Sequence, residues 1–245
     1  MNNGRPHIPH PAVIYLILLV TVILVSWIAE LYTLRSVSRN SDILFRSLLD
    51  VDGLRWFIRN STSVISSAPV GNALLILSAV GVVRDSGIVA VAIRLWRGRA
   101  VAYKEKSGYI ASMAVLFMLL LLIAQGIFGG RHVLLGLSGT LSSSPLLSGA
   151  VLLCFLLVGL PSVVYGLTSG RFRCVDDVID ALVSLYIPYA SFFLTLLVGT
   201  QLLAVLDYSG LTRLLNIGAS EMRILSFVVW WAPLPYLYLR QKQKN

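Results

Sequence analysis

Charge is what this chain has least of. Asp, Glu, Lys and Arg make up 13% of its 245 residues, against about 25% in an ordinary soluble domain. Histidine is close to absent: His7, His10 and His132 are the full set, and none stands beside carboxylates at a metal-ligand spacing. Cysteine is confined to Cys154 and Cys174, and neither belongs to a CxxC pair. That excludes a zinc ribbon or a dithiol redox site. Cys154 falls inside an apolar run and reads as a small hydrophobe. There is no GxSxG elbow, no Walker loop and no HExxH helix. Ser142, Ser143 and Ser144 read as a flexible loop and not as nucleophiles, because no base accompanies them. The sequence predicts no enzyme, no metal site and no cofactor.

What the chain has instead is apolar residues in long packets. They amount to 57% of the total, and the mean hydropathy is +0.82. About 20 consecutive apolar residues suffice to cross roughly 30 Å of hydrocarbon. Six runs qualify: Pro11–Leu34, Val64–Val83, Tyr109–Phe128, Leu146–Leu167, Ser184–Leu206 and Ile224–Leu239. The first ends in Glu30 and Tyr32, not in an Ala-x-Ala site, so it reads as a retained helix and not as a cleaved signal. Two further stretches carry apolar residues at helical spacing with charges on the other face, Ser41–Ser61 and Phe172–Leu185. Such segments lie on a membrane surface or pack across a bundle; the first is expected to break near Gly53. The expectation is an all-α polytopic membrane protein: about six transmembrane helices plus two amphipathic helices, forming a single membrane domain over residues 1–245.

The net charge of +9 suits lipid headgroups better than nucleic acid, since no basic run is interleaved with stacking aromatics. Six spans place both termini on one side. If that side is cytoplasmic, twelve of the 20 basic residues lie inside. Six of these, Arg84, Arg94, Arg97, Arg99, Lys104 and Lys106, fall in one short segment between spans, where the positive-inside rule applies best. Both termini are therefore expected in the cytoplasm.

Two stretches, about 41–95 and 172–218, look alike. Each begins with the amphipathic segment. Each then has a proline near the start of a span, in SSAPVGN at Pro69 and SLYIPYAS at Pro188. Each span ends in an acid followed by Ser-Gly: Asp85-Ser86-Gly87 and Asp207-Tyr208-Ser209-Gly210. In the predicted orientation the two spans run in opposite directions, the pattern of an inverted repeat. Proline removes a helix N–H and frees a carbonyl, and in lipid those groups need partners from neighbours, water or ligand. Paired breaks of this kind point to a solute site. The candidate substrate-binding residues are Pro69, Gly71, Asn72, Pro188, Ser191 and Gln201. For Asn72 and Gln201 a bond between helices competes with ligand contact; for Ser191, Thr195 and Thr200 the competing role is a bond back to their own helix. Glu30, Asp85 and Asp207 sit near span ends, as interfacial or capped groups or as proton relays.

These residues carry a resemblance. PHPAVIYLILLVTVILVSWIAEL, then SLLDVDGLRWFIRNSTSVISSAPVGNALLILSAVGVVRDSGIVAVAIR, resembles the N-terminal region of the AbgT family, the p-aminobenzoyl-glutamate transporters. YGLTSGRFRCVDDVIDALVSLYIPYASFFLTLLVGTQLLAVLDYSGLTRLLNIGAS, from Tyr165 to about Ser220, resembles the late repeat of the same family. The resemblance implies a bacterial inner-membrane secondary transporter that moves a small anionic aromatic solute (p-aminobenzoyl-glutamate or a sulfonamide) on a Na⁺ or H⁺ gradient, with a homodimer among the assemblies expected. It also implies a chain about twice as long, with central hairpins that residues 96–160 do not supply. A non-transporting membrane scaffold, or a subunit of another membrane protein, stands as the alternative.

Overall fold

The computed structural model describes residues 10–35, 46–128 and 144–244, and every regular element among them is helical. In chain order the helices are α1 (Pro11–Arg35), α2 (Val51–Ser67), α3 (Val70–Ser86), α4 (Ile88–Trp96), α5 (Tyr103–Phe128), α6 (Pro145–Ser148), α7 (Ala150–Ser169), α8 (Val175–Val183), α9 (Ala190–Tyr208), α10 (Leu211–Leu214), α11 (Ala219–Trp231) and α12 (Pro233–Lys244). Among the described residues six stretches are long and apolar enough to cross a membrane: Pro11–Tyr32, Val51–Ser86, Tyr103–Phe128, Ala150–Ser169, Ala190–Tyr208 and Ala219–Leu239. Their large apolar side chains stay exposed along most of α1, α5 and α11, a surface that only lipid tolerates. The protein is an all-α polytopic membrane protein.

Several boundaries differ from those read in the sequence, each for a local reason. The first amphipathic helix begins at Val51, while residues 46–50 are irregular and 41–45 lie outside the described residues, as does most of the 129–144 loop. Gly53 does not break it. The helix runs through Gly53, and a Cβ there would stand 2.1 Å from the Ser47 carbonyl oxygen, so the glycine admits the incoming chain. Its buried side is Gly53, Trp56, Phe57, Asn60, Ser61 and Val64, whereas Leu54 and Ile58 face outward. The fifth span starts at Ala190, just after Pro188, and not at Ser184. The sixth span is divided at Ala232, where Pro233 opens α12, the first-turn position a proline tolerates. Pro161, which the reading passed over, is buried within an unbroken α7. The segment 84–106, read as a basic loop around an apolar stretch, contains the regular helix α4.

The described chain forms two compact units. One consists of residues 1–70 and 189–245, the other of 71–188. The chain leaves the first unit directly after Pro69-Val70 and re-enters it directly after Pro188. Both prolines thus stand at the points of passage. At the first, Ala68 is extended (φ −62°, ψ 137°), because the ring of the following proline disfavours helical backbone there.

In the first unit α9 is central, contacted by α1, α2, α10, α11 and α12. Phe192, Leu196 and Val205 are fully buried on it. Gly199 lets the neighbours close in: a Cβ there would lie 2.9 Å from Val229 of α11 and 3.1 Å from Tyr15 of α1. The same closeness allows the Tyr15 hydroxyl to donate to the Val229 carbonyl at 2.8 Å. In the second unit α5 and α7 form the main pair, and α4 packs on both. An apolar cluster joins Val82 of α3, Phe172 of the α7–α8 connection and Ala181 of α8, with Val163, Val178 and Leu182 around them. Gly81 abuts α8, where a Cβ would be 2.5 Å from the Ala181 carbonyl oxygen. Beside it, the hydroxyls of Ser78 and Tyr186 are 2.6 Å apart.

Candidate functional site

Polar groups inside the first unit collect along α9. Lipid offers them no water, so each needs an internal partner. The Thr195 hydroxyl donates to the Ser191 carbonyl at 2.9 Å, and that of Thr200 to the Leu196 carbonyl at 2.8 Å. These are bonds back to their own helix. Thr200 in turn accepts the indole N–H of Trp230 at 3.1 Å, tying α11 to α9. Gln201 donates through Nε2 to the Ser61 hydroxyl of α2 at 3.3 Å. Its carbonyl oxygen Oε1 is buried without a hydrogen bond among the described residues. An unpaired buried acceptor costs about 1–3 kcal/mol, so Gln201 holds a standing demand for a donor.

The α2–α9 contact opens at one end into a cleft of about 450 Å³, a size suited to a small molecule. Trp56 and Tyr208 form one wall, stacked with ring centroids 4.1 Å apart and planes 22° apart. Arg46, Arg213 and Asp207 supply the charge, and Gly210 the floor. Among the described residues neither arginine forms an ion pair. Two guanidinium groups and one carboxylate line the cleft, and Glu30, Asp50 and Asp52 stand near enough to act on Tyr208 in its wall. A guanidinium presents a fork of donors that matches a carboxylate or sulfonate, and a stacked Trp–Tyr pair presents a flat apolar face. Arg213 and Asp207 also border a second cleft of about 450 Å³, with Thr212, Arg223 and Ser226.

The position of Arg46 follows from a backbone bond: its N–H donates to the Ser209 carbonyl at 3.3 Å. Ser209 belongs to one of the two Ser-Gly endings, and the two fold alike. Gly87 and Gly210 both take positive φ, 71° and 77°, backbone that glycine adopts without strain. The preceding serines, Ser86 and Ser209, are both fully buried. Each donates to a carbonyl three residues back, at 3.2 Å and 3.0 Å. Each accepts an N–H two residues ahead at 3.5 Å. Short helices follow both, α4 and α10.

The candidate residues from the sequence distribute between the units. Pro69, Ser191 and Gln201 belong to the first; Gly71, Asn72 and Pro188 belong to the second. Gln201 reaches the α2–α9 contact that opens into the cleft. Asn72 is exposed on the first turn of α3 and forms no hydrogen bond among the described residues. A Cβ at Gly71 would meet nothing within 4 Å. Of the span-end acids, Glu30 accepts the Ser47 N–H at 3.2 Å, Asp207 accepts the Thr212 hydroxyl at 3.5 Å, and Asp85 lies 3.9 Å from Arg84. The cleft residues Arg46, Trp56, Tyr208 and Arg213 were not singled out. Trp56 and Tyr208 stand in the GLRW and YSGL motifs, so a signal existed; that they stack depends on the tertiary pairing of α2 with α9. The second unit also holds a groove of about 490 Å³, between α3 and α7, but its walls (Leu75, Ile76, Val80, Cys154, Phe155 and Val158 among them) offer nothing to orient a polar solute. Among the described residues no cluster of His, Cys, Asp and Glu fits a metal ion.

Span-length helices beside an arginine-lined, aromatic-walled cleft define a class, the polytopic membrane proteins that hold polar groups within their helix packing. The model of the AbgT putative transporter family matches the chain in two segments, residues 3–101 and 95–227, and the chain belongs to that family. The match runs on through residues 102–164, beyond the motifs that carry the resemblance. Among solved structures, that of Neisseria gonorrhoeae MtrF, said to illuminate a class of antimetabolite efflux pumps, is similar with a TM-score of 0.72 over 95% of this chain and 82% of that one. The two are 14% identical, so the likeness is one of fold. No curated protein matches the chain.

Proposed function

We propose that this protein is a secondary transporter of the bacterial inner membrane. It moves a small anionic aromatic solute, of the p-aminobenzoyl-glutamate or sulfonamide kind, on a Na⁺ or H⁺ gradient. The observation that carries this reading is the cleft, with two arginines that form no ion pair among the described residues beside a stacked Trp56–Tyr208 wall. Such a pairing selects an anion attached to a ring. The matching Ser86-Gly87 and Ser209-Gly210 turns support an inverted repeat covering about 41–95 and 172–218. Pro69 and Pro188 are its corresponding breaks; Gly71 and Asn72 follow the first and Ser191 and Gln201 the second as the proposed solute contacts. Both termini lie in the cytoplasm in this reading, and the protein works as a homodimer.

Flux of labelled p-aminobenzoyl-glutamate and of a sulfonamide in proteoliposomes tests the proposal, with and without a Na⁺ or H⁺ gradient. Wild type is to be compared with Arg213→Gln and Asn72→Ala. Gradient-dependent flux that falls at least tenfold in Arg213→Gln supports transport through the cleft. Flux equal to that of empty liposomes, from protein shown to be folded, sinks it. That outcome favours the alternative role as a scaffold or subunit, for which α5 offers a long outward face of Ile110, Phe117, Met118, Leu121 and Leu122.

A further inference from the structure

Helix α4 turns its apolar residues the wrong way for a soluble surface. Its inner side is fixed by Val91, which is fully buried, and by contacts with α5 and α7. Its outer side carries Val89, Ile93 and Trp96, at i, i+4 and i+7 on one helical face. All three are exposed, Trp96 by 91%. The helix follows a span-length stretch that ends at Ser86, and the next span begins at Tyr103. A helix of nine residues is about 14 Å long, too short to cross the bilayer by itself.

The neighbouring charges are of one sign. Segment 84–106 holds six basic residues and two acidic ones, Asp85 and Glu105. Arg94 pairs with Glu105 at 3.1 Å, and Arg84 lies 3.9 Å from Asp85. Arg97, Arg99, Lys104 and Lys106 are left exposed and without ion pairs among the described residues. Tyr103, 86% exposed, stands between them. An apolar stripe flanked by a tryptophan, a tyrosine and four unpaired cations matches the layering of an anionic bilayer surface. Acyl chains meet the stripe, the aromatic rings take the glycerol level, and the cations reach the headgroup phosphates.

We propose that α4 together with residues 97–106 is an in-plane anchor that binds anionic phospholipid headgroups. It holds the cation-rich end of the second unit at one depth. The partner is anionic lipid and not an acidic protein, because α4 is bracketed in the chain by spans whose own apolar side chains are exposed, Val80 before it and Ile110 after it among them. The proposal is independent of which solute the protein carries.

The test uses the full chain reconstituted in vesicles of phosphatidylcholine or of phosphatidylcholine with phosphatidylglycerol, with one lipid brominated in its acyl chains. The difference in fluorescence between wild type and Trp96→Phe isolates Trp96. Bromine quenches it from both lipids, and the expected excess is from brominated phosphatidylglycerol over brominated phosphatidylcholine at equal mole fraction. Each surface cation contributes roughly fivefold to binding anionic lipid, so the double variant Arg97→Gln, Arg99→Gln should lose at least tenfold of that preference. High salt should weaken it in wild type. Among the described residues neither arginine forms a side-chain hydrogen bond or ion pair, and the emission of the other tryptophans reports folding. Trp96 unquenched by either lipid would overturn the proposal and point to solvent or a protein partner. Equal quenching by both lipids, unaltered in the double variant, would also overturn it.

Discussion

Helix α3 contains two glycines ten residues apart whose surroundings are opposite. At Gly71 an added Cβ meets nothing within 4 Å; at Gly81 it would stand 2.5 Å from the Ala181 carbonyl oxygen and 2.9 Å from the Ser184 hydroxyl oxygen. Ala in place of Gly within a helix gains about 0.5–1 kcal/mol at most from backbone entropy, and this gain is common to both sites. At Gly81 it is opposed by overpacking. An unstrained C···O contact is about 3.3 Å or longer, so α3 and α8 must separate by most of an ångström. The Ala181 carbonyl has little freedom to yield, being inside α8 and already accepting the Ser184 hydroxyl at 2.9 Å. Inserting one methyl into such a contact costs about 1–3 kcal/mol. Gly71→Ala should therefore be neutral or slightly stabilising, with Gly81→Ala below it by about 1–3 kcal/mol. In a chain of this length that separates the two melting temperatures by about 2–12 °C. Thermal unfolding of both variants in one mild detergent, followed by circular dichroism, gives the comparison. If Gly81→Ala melts at or above Gly71→Ala, α3 and α8 are not packed as described.

Three further outcomes are expected. The carboxyl of Asp177 is held below the ordinary aspartate range, chiefly by the backbone N–H of Arg173 at 2.6 Å and then that of Cys174 at 3.2 Å. A depressed carboxyl contributes stability above its unfolded pKa, near 3.8, and loses it as pH falls through the lower folded value. Amide exchange at the start of α8 should thus accelerate below that pH in wild type and be fast at every pH in Asp177→Ala. Ser86→Ala and Ser209→Ala should each cost about 0.5–1.5 kcal/mol, and by similar amounts, because the two turns share one bonding pattern; unfolding in detergent that shows a large loss at one and none at the other would deny the equivalence. Gln201→Leu removes a buried acceptor that lacks a donor and, with it, the Nε2–Ser61 bond; two opposed effects of about 1 kcal/mol each should leave its melting temperature close to that of wild type while flux falls, and a loss well beyond one hydrogen bond would mean that Oε1 has a partner.

Helix content was readable because lipid imposes a simple rule: apolar for about 20 residues or unable to cross. The spans at Pro11, Tyr109 and Leu146 were therefore found to within a few residues of α1, α5 and α7. Their errors lie at the ends, where polar residues such as Tyr103 to Lys106 continue a helix into the interface. The proline breaks were also legible, since Pro69 and Pro188 act on their immediate neighbours. The facing of the amphipathic helices was not. Leu54 and Ile58 of α2 look like core residues, yet Trp56 and Phe57 turn inward, and nothing within residues 51–67 states that α9, more than 120 residues later, is the surface they meet. The cleft was hidden for the same reason. Arg46 and Arg213 are ordinary charges in a sequence, and only the bond from the Arg46 amide to the Ser209 carbonyl brings one of them to the end of α9.

The first unit is made from the two ends of the chain, residues 1–70 and 189–245, with the whole second unit inserted between them. Synthesis runs from one end only. When α1 and α2 emerge, the helix they pack against does not yet exist, and it remains absent until residues 190–208 have been made. The second unit is contiguous over 71–188, so all of its own residues are made before then. The order of assembly is thus written into the connectivity: the middle of the chain can close while α1 waits in the bilayer with its contact face bare. Gly199, which admits Tyr15, and Ser209, whose carbonyl receives Arg46, are the late arrivals that end the wait. A chain that ends at residue 189 and is released into the membrane should therefore carry a folded second unit and an α1 still accessible to chaperone or protease.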